Sequence, residues 1–212
     1  MSCDNKELEL LQGAVRAVAR NGLENTTTRS IGAEAGIDDA YIYRYFKDKE
    51  ELICRAFLAE CEAYIDRILQ SIEMLRKNEI AETLEDRSRF VVACAWNYLK
   101  DRPDLSCFFV RYYHSAGFQN HASEQFRMLL SRIADSVSET LNVQSNAPLV
   151  MVHLMESMFS FASKFADGHL PSNEATLNAV FEQLYGIFRT AIVPEQKPDD
   201  KEVQKGKRRK RY

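Results

Sequence analysis

Tyr41, Tyr43, Arg44 and Lys47 crowd one short run of the chain, TRSIGAEAGIDDAYIYRYFK from Thr28 to Lys47. Tyrosine hydroxyls and the cations of Arg and Lys reach phosphate oxygens, and the fork of an Arg also matches the two acceptors that guanine shows in a major groove. A carboxylate such as Asp39 can accept from the amino group of cytosine. Side chains of this kind act together only if one rigid element turns them outward.

The spacing supplies that element. Counting Thr28 as the first position, apolar or small residues fall at the fourth, fifth, eighth, tenth and fifteenth places (Ile31, Gly32, Ala35, Ile37 and Ile42), and Gly36 is the ninth. A helix-turn-helix needs this order: the fifth residue is small because the next helix crosses over it, and the ninth takes a positive φ in the turn. With Ile42 facing inward and successive residues stepping about 100° around the helix, Ala40, Arg44 and Lys47 point away from the core, flanked by Tyr41 and Tyr43. Arg44 is the candidate for a paired contact with guanine, or equally for a phosphate contact. Lys49, in the first turn of a fourth helix, adds a phosphate contact beside free backbone amides.

Residues 22–52 resemble the DNA-binding region of the TetR family of bacterial transcriptional regulators, through Gly22, Leu23, Thr26, Thr28, Arg29, Ile31, Ala35, Gly36, Ile37, Ala40, Ile42, Tyr43, Tyr45, Phe46, Lys49, Glu50 and Leu52. By that resemblance Thr28, Arg29, Tyr43 and Lys49 take the places that usually clamp phosphates, and residues 38–44 those that read bases. Two residues depart from the pattern. Asp38 stands where Ser is common, and Asp39 stands where a neutral or basic residue is usual. An acid near phosphates lowers affinity, and residues 1–52 already carry 10 acidic against 7 basic side chains.

A second group of residues lies downstream. Trp96, Phe109, Tyr112, Tyr113, Phe118, Met155 and Phe159 are either core filling for a helical bundle or the lining of a pocket for a small apolar or aromatic effector, with His114, His153 and Glu156 as polar tips. The family resemblance favours the pocket. His114, His121, His153 and His169 have no partner at the helical spacing that makes a metal pair, so no metal or cofactor is expected. No phosphate-cradling glycine loop or nucleophile elbow stands out, and the expectation is a binding protein, not an enzyme.

These side chains need helices to hold them. Only 8 Gly and 5 Pro interrupt 212 residues that are 45% hydrophobic, which disfavours a turn-rich β fold and a disordered chain. Leu8, Leu11, Val15 and Val18 make one stripe on a first helix that Gly22 ends; Thr27 or Thr28 caps a second, and Asp38 caps a third running to about Phe46. Asp48 and Glu51 form a capping pattern for a long fourth helix. Further long helices follow, with breaks near 101–103, Gly117, 142–148 and 168–171. The last two, 149–166 and about 174–192, are apolar over more than one face.

The expected fold is all-α. Residues 1–47 form an N-terminal three-helix helix-turn-helix DNA-binding domain. Residues 48–193 form a C-terminal helical-bundle domain for ligand binding and dimerisation, and residues 194–212 a disordered basic tail in which KGKRRKR holds six positive charges in seven residues. No window is long and apolar enough for a membrane span and no secretory leader is visible, so a cytoplasmic location is expected, with the five cysteines reduced. One head makes few contacts, so the expectation is a homodimer on a palindromic double-stranded operator, half-sites about 34–36 Å apart or a multiple of it, with the last two long helices as the twofold interface. The function this implies is a ligand-responsive regulator, most simply a repressor released by its effector. The alternative is a protein-interaction module of the same fold, or a coactivator, that has lost operator recognition; Asp38 and Asp39 motivate it.

Overall fold

The computed structural model describes residues 3–78, 83–141 and 147–190, and among them the chain is helical throughout, without a strand. The elements are α1 (Cys3–Asn21), α2 (Thr28–Ala35), a 3₁₀ turn (Asp39–Tyr41) leading into α3 (Ile42–Tyr45), α4 (Lys49–Asn78), α5 (Leu84–Lys100), α6 (Pro103–Tyr113), a π-helical turn (Phe118–Ala122), α7 (Ser123–Leu141), α8 (Ala147–Ala166) and α9 (Glu174–Arg189). The all-helical expectation holds. The expected break at 142–148 falls mostly, and the basic tail wholly, outside the described residues.

Local chemistry sets these boundaries. Gly22 (φ 80°), Gly36 (φ 67°) and Gly168 (φ 72°) adopt the left-handed conformation where α1, α2 and α8 end. At the start of α2 the Ser30 amide donates to the Thr27 hydroxyl oxygen (3.1 Å) while the Thr27 amide donates to the Ser30 hydroxyl (2.9 Å), a reciprocal cap. Asp48 accepts from the Glu51 amide at 2.8 Å and opens α4, a rod of 30 residues, about 45 Å long. Thr83 and Asn173 cap α5 and α9 in the same way.

One contiguous apolar core runs from Leu10 and Ile31 through Phe57, Tyr64 and Phe108 to Phe159 and Phe188. Helix α1 packs on α2, on α4 and, with its C-terminal half, on α6. The Arg111 guanidinium of α6 donates to the carbonyls of Val18 (2.8 Å) and Ala19, two of the last carbonyls of α1, where a cation also meets the negative end of the helix dipole. Helix α6 packs in turn on α8, while α9 closes against α5 and α8. An Arg89–Glu182 pair (2.7 Å) ties α5 to α9, with the Arg89 guanidinium over the Tyr185 ring.

Candidate nucleic-acid interface and apolar cavity

The predicted wedge between α2 and α3 forms: Ile31 and Ile42 are fully buried and Ile37 is half-buried against them. Gly32 shows why the fifth position is small, since a Cβ there would come within 2.7 Å of the Ile37 carbonyl oxygen and 3.1 Å of the Asp39 nitrogen. The second element of the motif is shorter than expected, a 3₁₀ turn passing into one turn of α-helix. Asp38 accepts from the Ala40 amide at 2.9 Å, so its carboxylate is engaged as a cap.

Around this frame Ala40, Tyr43, Arg44 and Lys47 are exposed, Tyr43 by 64%, and Arg29 is exposed on α2. Thr28, Asp39 and Tyr41 are half-buried. Lys49 is engaged differently from the rest: its ammonium donates to the Thr26 carbonyl at 3.0 Å, joining the start of α4 to the loop before α2, and lies 3.9 Å from Glu50. Thr26 is buried and donates its hydroxyl to the Gly22 carbonyl at 2.7 Å, so this joint is held from both sides.

The charges of the head divide by position. Behind the motif, Arg20 meets Glu34 at 2.8 Å, Arg16 donates to the Glu34 carbonyl at 2.6 Å, and Arg55 pairs with Glu7 beside Phe46. On the outward face, Arg29, Arg44 and Lys47 have no carboxylate within 4.0 Å among the described residues. The cations of the scaffold are neutralised and those of the outer face are not.

The downstream aromatics largely fill space. Phe109 stacks on Phe159 with ring centroids 3.8 Å apart; Phe57, Tyr113 and Phe126 close around Phe109, and Tyr112 and Phe118 pack on Phe57. Trp96 packs edge-on against Phe165. Burial pushes the Tyr112 and Tyr113 hydroxyls up from their ordinary range, the first beside the Cys54 thiol and the second beside the Glu156 carboxylate. Next to this cluster lies a cavity of about 30 Å³ with apolar walls, bounded among others by Tyr64, Ile68, Leu130, Met151, Met155 and Met158. Of the seven candidate effector residues only Met155 borders it. Within this lining the Tyr64 hydroxyl donates to the Met158 sulfur at 3.0 Å, and burial raises its pKa. The helical period marks Tyr64 and Ile68 as core, but nothing in the sequence marks which core residues border a void.

The sequence profile of bacterial regulatory proteins of the tetR family matches residues 10–56, which run from within α1 through the whole helix-turn-helix to the start of α4. That stretch is similar to the DNA-binding region of the TetR family. A fatty acid metabolism regulator protein of Bacillus subtilis (strain 168) is 31% identical over 68 residues, 32% of this chain; the chain spans about a third of that relative, 35% of its length. Solved TetR-family structures share the fold. A transcription regulator from Shewanella sp. PV-4 gives a TM-score of 0.68 at 19% identity, over 89% of this chain and 98% of its own. One from Marinobacter aquaeolei VT8 gives 0.67 at 20%, over 87% and 95%. The fatty acid degradation regulator FadR from Bacillus halodurans gives 0.63 at 16%, over 91% and 97%.

Proposed function

We propose that this protein is a DNA-binding transcriptional regulator of the TetR family that acts as a homodimer on a palindromic operator, represses there, and is released by an apolar effector. The observation that carries the DNA contact is the division of charge on the head, with Arg29, Arg44 and Lys47 unpaired beside exposed Tyr43 while the cations behind them are matched by Glu34 and Glu7. Unpaired, exposed cations of this kind are what a phosphate backbone neutralises with release of counterions. Thr28, Arg29, Tyr43 and Lys47 hold phosphates in this reading, Ala40 and Arg44 face base edges, and Asp39 accepts from cytosine. Lys49 supports the joint and reaches phosphate with the protons that Thr26 leaves free. Engagement of Asp38 as a cap removes one of the two acids that favoured a protein-interaction module. Residues 1–47 act as the reading head and the remainder as the regulatory and dimerisation part, in the cytoplasm.

The effector in this reading is a fatty acyl chain. The apolar cavity supports it, as do the roles of the Bacillus subtilis and Bacillus halodurans proteins in regulating fatty acid metabolism and degradation. Small-molecule pockets occupy roughly 300–1,000 Å³, so a cavity of about 30 Å³ must widen. Met151, Met155 and Met158 are the unbranched side chains whose rotation can widen it, with Trp96, Phe109, Tyr112, Tyr113, Phe118 and Phe159 as the aromatic wall behind.

Mobility shifts with genomic fragments, at low and moderate salt, test the first part: a retarded fragment is expected, and its absence at both salts rejects operator binding. Titration with dodecanoate tests the second. The fatty acid should weaken DNA binding, and DNA should weaken fatty acid binding by the same factor, because coupling between two sites is reciprocal.

A further inference from the structure

The predicted outer face lies on α2 and α3, and the structure adds a residue of α1 to it. The Lys6 ammonium sits 4.1 Å from the centroid of the Tyr41 ring, and the Arg44 guanidinium carbon lies 4.5 Å from the same centroid. Neither cation has a carboxylate within 4.0 Å among the described residues. Two like charges therefore share one ring, within a Debye length (about 10 Å) of each other. Their mutual repulsion is unfavourable in the free protein and is relieved when a polyanion approaches. Tyr41 itself is half-buried and closes the 3₁₀ turn that Asp38 caps, so its ring is a fixed platform. A guanidinium resting on that platform has already given up much of the rotamer freedom that it would otherwise lose on binding.

We infer that Tyr41 is a positioning residue whose ring aims Arg44 at a base edge and holds Lys6 toward a neighbouring backbone phosphate, so that the DNA contact of this chain extends from α3 onto the start of α1. The inference rests on the operator-binding function proposed above.

The full chain would first be used to select its preferred sequence from a random duplex library. That duplex then serves in anisotropy titrations over a range of salt for the wild type, Tyr41→Phe, Tyr41→Ala, Arg44→Ala and Lys6→Gln, each first shown to melt near the wild-type midpoint. Tyr41→Ala should lose about threefold to tenfold in affinity and flatten the preference at the base pair that Arg44→Ala also loses. Tyr41→Phe keeps the ring and should restore both. Lys6→Gln should leave the preferred sequence as it is and lower the salt slope by about one phosphate contact. Wild-type sequence preference in Tyr41→Ala, an unchanged slope in Lys6→Gln, or a Tyr41→Phe variant as impaired as Tyr41→Ala would each overturn the inference while leaving operator binding intact. A wild-type chain that selects no sequence would overturn the operator-binding function, and the inference with it.

Discussion

An arginine's value to a nucleic acid depends on what else it already holds. Arg20 and Arg44 are both exposed cations of the head, but Arg20 is matched by Glu34 at 2.8 Å, whereas Arg44 lies over the Tyr41 ring with no carboxylate within 4.0 Å among the described residues. Arg44→Ala should therefore weaken binding to the selected duplex by about 1–3 kcal/mol, roughly 5-fold to 160-fold, with Arg20→Ala close to wild type in the same titration. The sign of a pH effect can also be worked out at one residue. Cys107 of α6 lies 3.6 Å from the Asp167 carboxylate, and burial, followed by that negative charge, pushes its thiol from 9.0 up to about 11. The folded protein thus holds this proton more tightly than the unfolded chain does. The stability that the thiol contributes is present below pH 9 and disappears as pH rises toward 11. Denaturant melts across that window should fall less steeply for Cys107→Ala than for the wild type, and parallel slopes would reject the assignment.

At the scale of elements, the helix-turn-helix was legible because everything that makes it lies close along the chain. The Thr27 and Ser30 cap, the Gly36 turn and the Ile31, Ile37 and Ile42 wedge interact over a few residues each, and a one-dimensional pattern records them. Contacts made across long separations were not legible. Lys6 meets Tyr41, and Arg111 meets Val18, only because packed helices bring them together. Gly13 is a further case. A glycine inside a helix is unfavourable by about 1 kcal/mol relative to alanine, so its presence in α1 hints at a close approach. The structure supplies it: a Cβ on Gly13 would lie 2.8 Å from both the Ala35 Cβ and the Ile31 carbonyl oxygen of α2. Backbone on a facing helix yields little, so the steric term should exceed the gain in helix propensity. Gly13→Ala should lower the urea midpoint, by a stability loss of about 1–3 kcal/mol, where the same change on an exposed helix face would raise it.

Across the whole molecule, the proposed activity needs two copies, and α9 offers a way to test for them. Gly186 is exposed on α9, and a Cβ added there meets nothing within 4 Å in the single chain. A large side chain at that position therefore fits the monomer but not a second copy pressed on the same surface. Light scattering should give the wild type twice the mass of one chain, and Gly186→Trp should fold with the mass of one; a dimeric variant would move the interface away from this face of α9. The aromatic interior explains why the candidate effector residues were the least legible part. Sequence types alone do not separate rings that pack on each other, such as Phe109 and Phe159, from walls that leave a gap, such as Tyr64 and Met158.

Arg111 gives these parts a common frame. Because its guanidinium grips the closing carbonyls of α1, and α1 in turn carries Lys6 at its far end, the first and sixth helices share one mechanical linkage. Any swing of α6 that keeps this grip tows the base of the proposed reading head along with it, so a disturbance deep in the bundle has a rigid handle on the surface that faces outward.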